Sequence, residues 1–101
     1  MRIEVLDHDN DFPEQTRAYA EYRIFSSLAH VSHVVERAHV TLSAAGADSR
    51  SVVCTVVISG DDGPSTRIRA RGGHAYDAIN RAARRLALVL RRDAAGREQP
   101  A

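Results

Sequence analysis

HAYDAINRAARRLALVLRR, residues 74–92, predicts an amphipathic helix, because its apolar and charged residues separate onto two sides. At about 100° per residue, the apolar side is wide enough to pack on a core. It carries Ile79, Ala82, Ala83, Leu86 and Leu90. The opposite side carries Arg81, Arg84, Arg85, Arg91 and Arg92, with Asp77 as the only acid among them. No acid is spaced to form i,i+4 pairs with them, so the pattern predicts positive charge without local compensation.

The charge of the whole chain is strongly segregated. Residues 1–66 carry five arginines and ten acids, a net charge of −5, whereas residues 67–97 carry nine arginines and two acids, a net charge of +7. Every basic residue is arginine, which binds phosphate through a planar fork, although genome composition alone explains that choice equally well. A basic helix face is commonly just a solvated face. The segregation favours a surface that binds a polyanion.

Length and composition indicate one globular domain. The 101 residues are 44% apolar and 27% charged, which excludes a disordered chain. The N-terminus lacks the apolar segment of a signal peptide, and the longest apolar run, residues 52–58, is too short to cross a bilayer. Cys54 is the only cysteine, so no disulfide framework exists. We therefore expect a cytoplasmic protein that does not interact with membranes.

The first half predicts a strand followed by a helix. Residues 2–6 alternate between apolar and polar side chains, which predicts a short strand. A helix is then predicted from about Phe12 to about Val31. Its start is indicated by Asp11 as N-cap, Pro13 in the first turn and Glu14, which completes a capping box. The acids of residues 7–11 resemble a calcium loop, but the glycine and glutamate that such a loop needs are absent. The buried stripe is predicted to be Thr16, Ala20, Ile24, Ser27, Leu28 and Val31, and Arg17 and Arg23 lie off it.

The second half predicts three strands before the basic helix. Apolar and polar residues alternate over residues 36–45 and again over 66–71, which predicts two half-buried strands. Residues 51–59, rich in β-branched side chains, have the composition of a central strand. Turns are predicted at 44–50 and 60–64. The last of these strands turns Arg67, Arg69 and Arg71 outward as a possible secondary basic row. Gly72 and Gly73 provide a tight connection into the helix. The single domain is predicted to span residues 1–93, and residues 94–101 to form a flexible tail.

The predicted order is β-α-β-β-β-α, an α+β fold. The first crossover makes strands one and two parallel, and the hairpins are antiparallel. The result is a four-stranded mixed sheet with both helices packed on one face, as in double-stranded-RNA-binding domains, and with the other face open.

No residue pattern predicts catalysis, a cofactor or a metal. His30 and His33 stand three apart without a third ligand nearby, and no nucleophile stands beside a base. Cys54 is typical of a small core residue. We therefore expect a binding protein and not an enzyme.

Several segments resemble one family along nearly the whole chain. They are Arg17-Ala18-Tyr19, Arg23-Ile24, Leu28, residues 39–43 (HVTLS), residues 56–60 (VVISG), residues 76–80 (YDAIN), Arg85-Leu86 and residues 90–92 (LRR). Together they resemble the ribosome hibernation-promoting factor family, also called ribosome-associated inhibitor A or sigma-54 modulation proteins. The chain is similar to a short member, because it ends after the second helix, before the domain by which long members pair ribosomes.

The resemblance implies a function and a set of contact residues. It implies binding of small-subunit rRNA at the decoding region, so that ribosomes are held inactive under starvation or cold. It places basic contact residues at Arg17 and Arg23 on the first helix and at Arg85 and Arg92 on the second. The charged face of the second helix adds Arg81, Arg84 and Arg91, which completes the set of predicted RNA-binding residues. Tyr76 matches the family's tyrosine, as a packing residue or an RNA contact. His74 and Leu88 depart from the family, which often has an acid and a charged residue at these positions.

A protein-interaction module is the alternative function. Val53, Thr55 and Val57 are predicted on the open sheet face, rimmed by His39 and by the arginines of the last strand. An exposed apolar sheet face is a surface through which two copies, or a copy and a partner, could bind.

Overall fold

The computed structural model describes residues 1–7, 12–31, 34–44, 51–60 and 66–98, with side chains described as far as Arg91. Strand β1 (Arg2–Asp7) leads to helix α1 (Glu14–Leu28), which continues as a short 3-10 helix (Ala29–Val31). Strands β2 (Arg37–Ala44), β3 (Val52–Ser59) and β4 (Thr66–Gly72) follow, and the chain enters helix α2 (Ala75–Glu98). The predicted order β-α-β-β-β-α and the α+β class are confirmed.

The four strands form one mixed sheet in the order β1-β2-β3-β4. β1 is parallel to β2, with Val5 beside Val40, because α1 carries the chain back across the sheet between them. The two following pairs are antiparallel, with Val40 beside Val56 and Val56 beside Ile68. β1 and β4 are therefore the two opposite edges of the sheet.

The core lies between the sheet and the two helices. Val40, Leu42, Cys54 and Val56 are fully buried on the sheet side, and Ile24, Leu28, Ile79 and Leu86 are fully buried on the helix side. Each such aliphatic side chain stabilises the fold by about 1.5–3 kcal/mol relative to an exposed one. The predicted stripe of α1 is buried at Thr16, Ala20, Ile24 and Leu28, and only half-buried at Ser27 and Val31.

Helix α1 begins two residues later than its pattern predicts. The capping position is Pro13, with φ −62° and ψ 156° and no side-chain cap; its carbonyl accepts the backbone N–H of Thr16 at 3.0 Å. Asp11, the predicted N-cap, lies outside the described residues, and the prediction is wrong because the helix begins at Glu14. The adjoining segment is held by Asp7, whose Oδ2 accepts the backbone N–H of Phe12 at 2.7 Å.

Helix α2 ends six residues beyond Arg92, at Glu98, although the pattern predicts a tail there. Ala94 and Ala95 are strong helix formers, and the isolated Gly96 costs only about 1 kcal/mol relative to alanine. Residues 8–11, 32–33, 45–50, 61–65 and 99–101 lie outside the described residues. They include His33 and most of the predicted turns at 44–50 and 60–64. Within the described ranges, no helix is long and apolar enough to span a membrane.

Candidate nucleic-acid interface

The two helices lie side by side and are joined through Asn80. Its side-chain oxygen Oδ1 accepts a hydrogen bond from the Tyr19 hydroxyl at 2.7 Å and another from Arg23 Nε at 3.0 Å. The Tyr19 ring also packs on Tyr76, with 4.8 Å between ring centroids and 57° between ring planes. Arg23 is thus fixed at the junction of α1 and α2, and Tyr76 contributes packing there.

Arg17 faces a different flank of α1. Six residues separate it from Arg23, which places the two side chains about 120° apart around the helix. Its Nε is buried and finds no hydrogen-bond partner among the described residues, whereas Arg23 bonds to α2. Arg23 therefore lies at the junction with α2, whereas Arg17 faces another flank of α1.

The outer face of α2 carries two columns of exposed arginines. Arg84 and Arg91 form one, and neither makes a hydrogen bond or ion pair with any described residue. Arg81 and Arg85 form the other, toward β4. Arg81 Nε lies 3.3 Å from Asp77 Oδ1, an i,i+4 ion pair, so the prediction that no arginine of this helix has such a partner is wrong. The Arg92 side chain lies outside the described residues.

The second column reaches the free edge of the sheet. Arg85 Nη1 donates to the backbone carbonyl of Arg69 at 2.7 Å, and Arg81 Nη1 donates to the carbonyl of Arg71 at 3.2 Å. One guanidinium donor of five is used in each of these bonds. Arg85 is held in place without a carboxylate among the described residues, so its charge stays uncompensated.

The side chains of Arg67, Arg69 and Arg71 are exposed on the sheet face opposite the helices. They pair across the strands with Val57, Thr55 and Val53 respectively. Val53 is only 4% exposed, so this face is more polar than its sequence predicts. The reduced apolar area does not favour the alternative of a hydrophobic interaction surface.

Acidic side chains occupy the other edge of the molecule. Glu4 and Asp7 lie on β1, and Glu4 pairs with His39 at 3.5 Å. Three strand spacings, about 14 Å, separate β1 from the arginines of β4. Among the described residues, Glu4 and Asp7 thus lie at the sheet edge opposite the arginines of β4 and α2.

A groove runs between α2 and the edge of β4. It has a volume of about 280 Å³ and is lined by Arg67, Ile68, Arg69, Arg85, Leu88 and Val89. Leu88 is 56% exposed and forms part of its wall. The groove combines an apolar surface with guanidinium groups.

Asn80, Tyr19 and the carbonyl groups of β4 are the parts of this surface that the residue patterns did not identify. The spacing of Tyr19 and Arg23, four residues apart on one helix, is a signal that both face the same neighbour. No sequence signal identifies the carbonyls, since every residue of every strand has one.

Comparisons with known proteins identify the family of this chain. Residues 3–97 match the model of the family described as "Sigma 54 modulation protein / S30EA ribosomal protein". No curated protein sequence matches. A solved structure described as a ribosomal subunit interface protein from Coxiella burnetii superimposes with a TM-score of 0.74 at 13% identity, covering 94% of this chain and 99% of that one. The N-terminal domain of Protein Y from Thermus thermophilus superimposes with a TM-score of 0.68 at 22% identity, covering 90% of this chain and 93% of that one.

At these identities the two structures establish a shared fold, whereas the family match covers nearly the whole chain. The chain belongs to the sigma-54 modulation and S30EA ribosomal protein family.

Proposed function

We propose that this chain is a ribosome-associated hibernation factor that inhibits translation by binding small-subunit rRNA at the decoding region. Its family is described in terms of a ribosomal protein, and the Coxiella burnetii structure of the same fold is described as a ribosomal subunit interface protein. Such a function needs no chemical step. A folded domain that occupies a functional site on the RNA excludes other ligands from it.

The observation that carries the proposal is the uncompensated charge on α2. Arg84, Arg85 and Arg91 are exposed and have no carboxylate partner among the described residues, and Arg23 lies at the adjoining helix junction. Guanidinium groups on rigid helices can each donate two parallel hydrogen bonds to a phosphate. Their positions are independent of base sequence, so the surface would recognise the shape of folded RNA. Arg17, Arg81 and Arg92 remain further candidates, and Arg67, Arg69 and Arg71 form a possible second row.

The affinity should depend steeply on salt. If about four to six phosphates are contacted, each contributes roughly −0.7 to −0.9 to the slope of log affinity against log salt concentration. Binding through an apolar surface would leave the slope near zero. The salt slope therefore separates an RNA interface from the alternative protein-interaction module.

Charge reversal on α2 tests the proposal directly. The double variant Arg84→Glu with Arg91→Glu should lose co-sedimentation with small ribosomal subunits, and its thermal unfolding should be unchanged, because neither side chain bonds to a described residue. The control is Arg2→Glu with Arg37→Glu, the same change of charge at two exposed positions on β1 and β2. Equal loss in both variants, or no loss in the first, would overturn the assignment to α2.

The alternative has its own test. Light scattering before and after nuclease treatment measures whether the purified chain associates with itself or with RNA. A dimer that survives nuclease and dissociates on Leu6→Glu, at a 52% exposed position on β1, would favour protein interaction through the sheet face.

A further inference from the structure

We propose that the groove between α2 and the edge of β4 binds one unstacked nucleotide of an RNA strand, with the phosphate at Arg85 and the base against Leu88 and Val89. The proposal rests on the proposed RNA-binding function and adds a specific subsite to it. It concerns a different flank of α2 from the one that carries Arg84 and Arg91.

The donor for the phosphate is Arg85, at the rim of the groove. Arg85 Nη1 is hydrogen-bonded to the Arg69 carbonyl at 2.7 Å, which fixes the guanidinium over the groove and leaves its other N–H groups free to donate. A fixed guanidinium loses little side-chain entropy when an anion binds. Arg67 and Arg69 also line this groove, but their side chains leave β4 on the sheet face opposite the helices, so they add positive charge beside the groove and Arg85 is its fixed donor.

The edge of β4 adds backbone donors. In an antiparallel strand, the N–H and C=O groups of one residue point to the same side. The carbonyls of Arg69 and Arg71 accept hydrogen bonds from α2, so they face outward from the sheet. The N–H groups of the same residues must also face outward, and the Arg69 N–H is therefore available beside the Arg85 guanidinium.

The wall of the groove suits a nucleobase. Ile68, Leu88 and Val89 give it an apolar surface, and Leu88 is 56% exposed although it stands among arginines. A leucine contributes nothing to binding a bare phosphate. A planar base would cover it, and burying apolar surface in this way stabilises binding. The combination of donors and apolar wall therefore fits a nucleotide better than it fits an inorganic anion or an RNA duplex, whose bases are stacked and paired.

Two matched pairs of variants test the subsite with a short single-stranded RNA oligonucleotide. Leu88→Gln should weaken binding about three- to tenfold without any change of charge, and Leu6→Gln, the same substitution at a position of similar exposure on β1, should leave binding unchanged. Arg85→Gln should weaken binding about tenfold or more, and Arg37→Gln, an equal loss of charge on β2, should have a much smaller effect. Thermal unfolding of each variant checks that the fold is intact.

Methyl NMR locates the bound nucleotide. The methyl signals of Leu88 and Val89 should shift when the oligonucleotide is added, and those of Leu6 should not. A blunt RNA duplex of the same sequence should shift them less, since its bases are not free. Unshifted Leu88 methyls, or equal losses in both members of each pair, would overturn the proposal.

Three further results distinguish the source of the ligand, and a failure of the subsite from a failure of the ribosomal function. If a free nucleoside monophosphate shifts the same methyls at the same concentration as the oligonucleotide, the groove is a site for a free nucleotide and the RNA proposal is wrong. If the oligonucleotide binds in the groove but the chain does not co-sediment with small subunits, the subsite stands and the ribosomal function fails. If it co-sediments and Leu88→Gln has no effect on the oligonucleotide, only the subsite fails.

Discussion

Arg85 of α2 donates a hydrogen bond of 2.7 Å to the backbone carbonyl of Arg69, on the free edge of β4. Arg81, one turn earlier, does the same for Arg71 at 3.2 Å. Unpaired strand edges are where sheets pair with other chains, and proteins commonly cover such edges or place charge on them. The basic helix thus stabilises the fold of its own sheet as well as supplying charge to the surface.

Removing the Arg85 side chain should weaken this edge. We expect Arg85→Ala to lower the free energy of unfolding by about 1 kcal/mol, the typical net value of one hydrogen bond. Arg84→Ala, the adjacent exposed arginine without such a bond, should change it by less than about 0.5 kcal/mol. Urea denaturation of both variants measures the difference. Equal stabilities would mean that the Arg69 carbonyl is satisfied equally well by water.

Asn80 should be the most sensitive polar residue of the helix junction. Asn80→Ala removes the acceptor of both Tyr19 and Arg23 and should lower the free energy of unfolding by about 1–3 kcal/mol. Tyr19→Phe removes only one donor and should cost about 1 kcal/mol. A double-mutant cycle between these two substitutions should give a positive coupling energy. Additive effects would contradict a direct bond between Tyr19 and Asn80.

His74 acts as the N-cap of α2. Its Nδ1 accepts the backbone N–H of Asp77 at 3.2 Å, and Asp77 Oδ2 accepts the N–H of Gly73 at 3.2 Å. His74→Ala should therefore cost about 1 kcal/mol. His74→Asp should retain or raise the stability, because aspartate accepts the same N–H and places negative charge at the helix N-terminus. Thermal unfolding distinguishes a cap from an exposed histidine, for which all three proteins would unfold alike.

The two adjacent glycines should respond oppositely to alanine. A Cβ atom on Gly72 would lie 2.5 Å from the backbone nitrogen of Ala78 and 2.8 Å from Asp77 Oδ2, so Gly72→Ala should destabilise the fold by about 1–3 kcal/mol. A Cβ atom on Gly73 meets nothing within 4 Å. Gly73→Ala should leave the stability unchanged or raise it by up to about 1 kcal/mol, through the unfolded state. Destabilisation by both would indicate that the turn itself needs glycine at each position.

Cys54 should be unreactive in the folded protein. Burial raises the pKa of its thiol from 9.0 to about 12, because the interior disfavours the thiolate. Alkylation at pH 8 should therefore require unfolding. Between pH 9.0 and about 12 the unfolded chain releases the thiol proton and the folded chain keeps it, so stability should fall as pH rises through this range. The Cys54→Ala variant should lack this part of the decline.

Most of the fold follows from periodicity in the sequence. Alternation in residues 37–44 and 66–72, and helical spacing from Thr16 to Leu28 and from Ile79 to Leu86, identify the elements and their buried sides. Chain connectivity then determines which strands are parallel. The end of α2 differs from the prediction because the residues after Arg92 are mostly polar, whereas Ala94 and Ala95 have a high helix propensity.

The bonding partners of individual arginines follow less directly from the sequence. Arg81 has two partners, Asp77 and a carbonyl of β4, whereas Arg84 has neither among the described residues. The ion pair with Asp77 follows from a spacing of four residues and could have been predicted. The bond to the carbonyl depends on where β4 lies relative to α2, which is a tertiary relationship. The separation of Arg17 from Arg23 is different, because it follows from their spacing of six residues alone.

Glu4 and Asp7 on β1, with the arginines of β4 and α2 at the opposite edge, give the described part of the molecule an electric dipole across its sheet. In the field of a polyanion, such a dipole turns the basic side forward before contact, because the opposite edge is repelled. Salt should then act mainly on the rate of encounter and much less on the lifetime of the complex once formed. The distribution of charge over the fold thereby orients the protein as it approaches the polyanion.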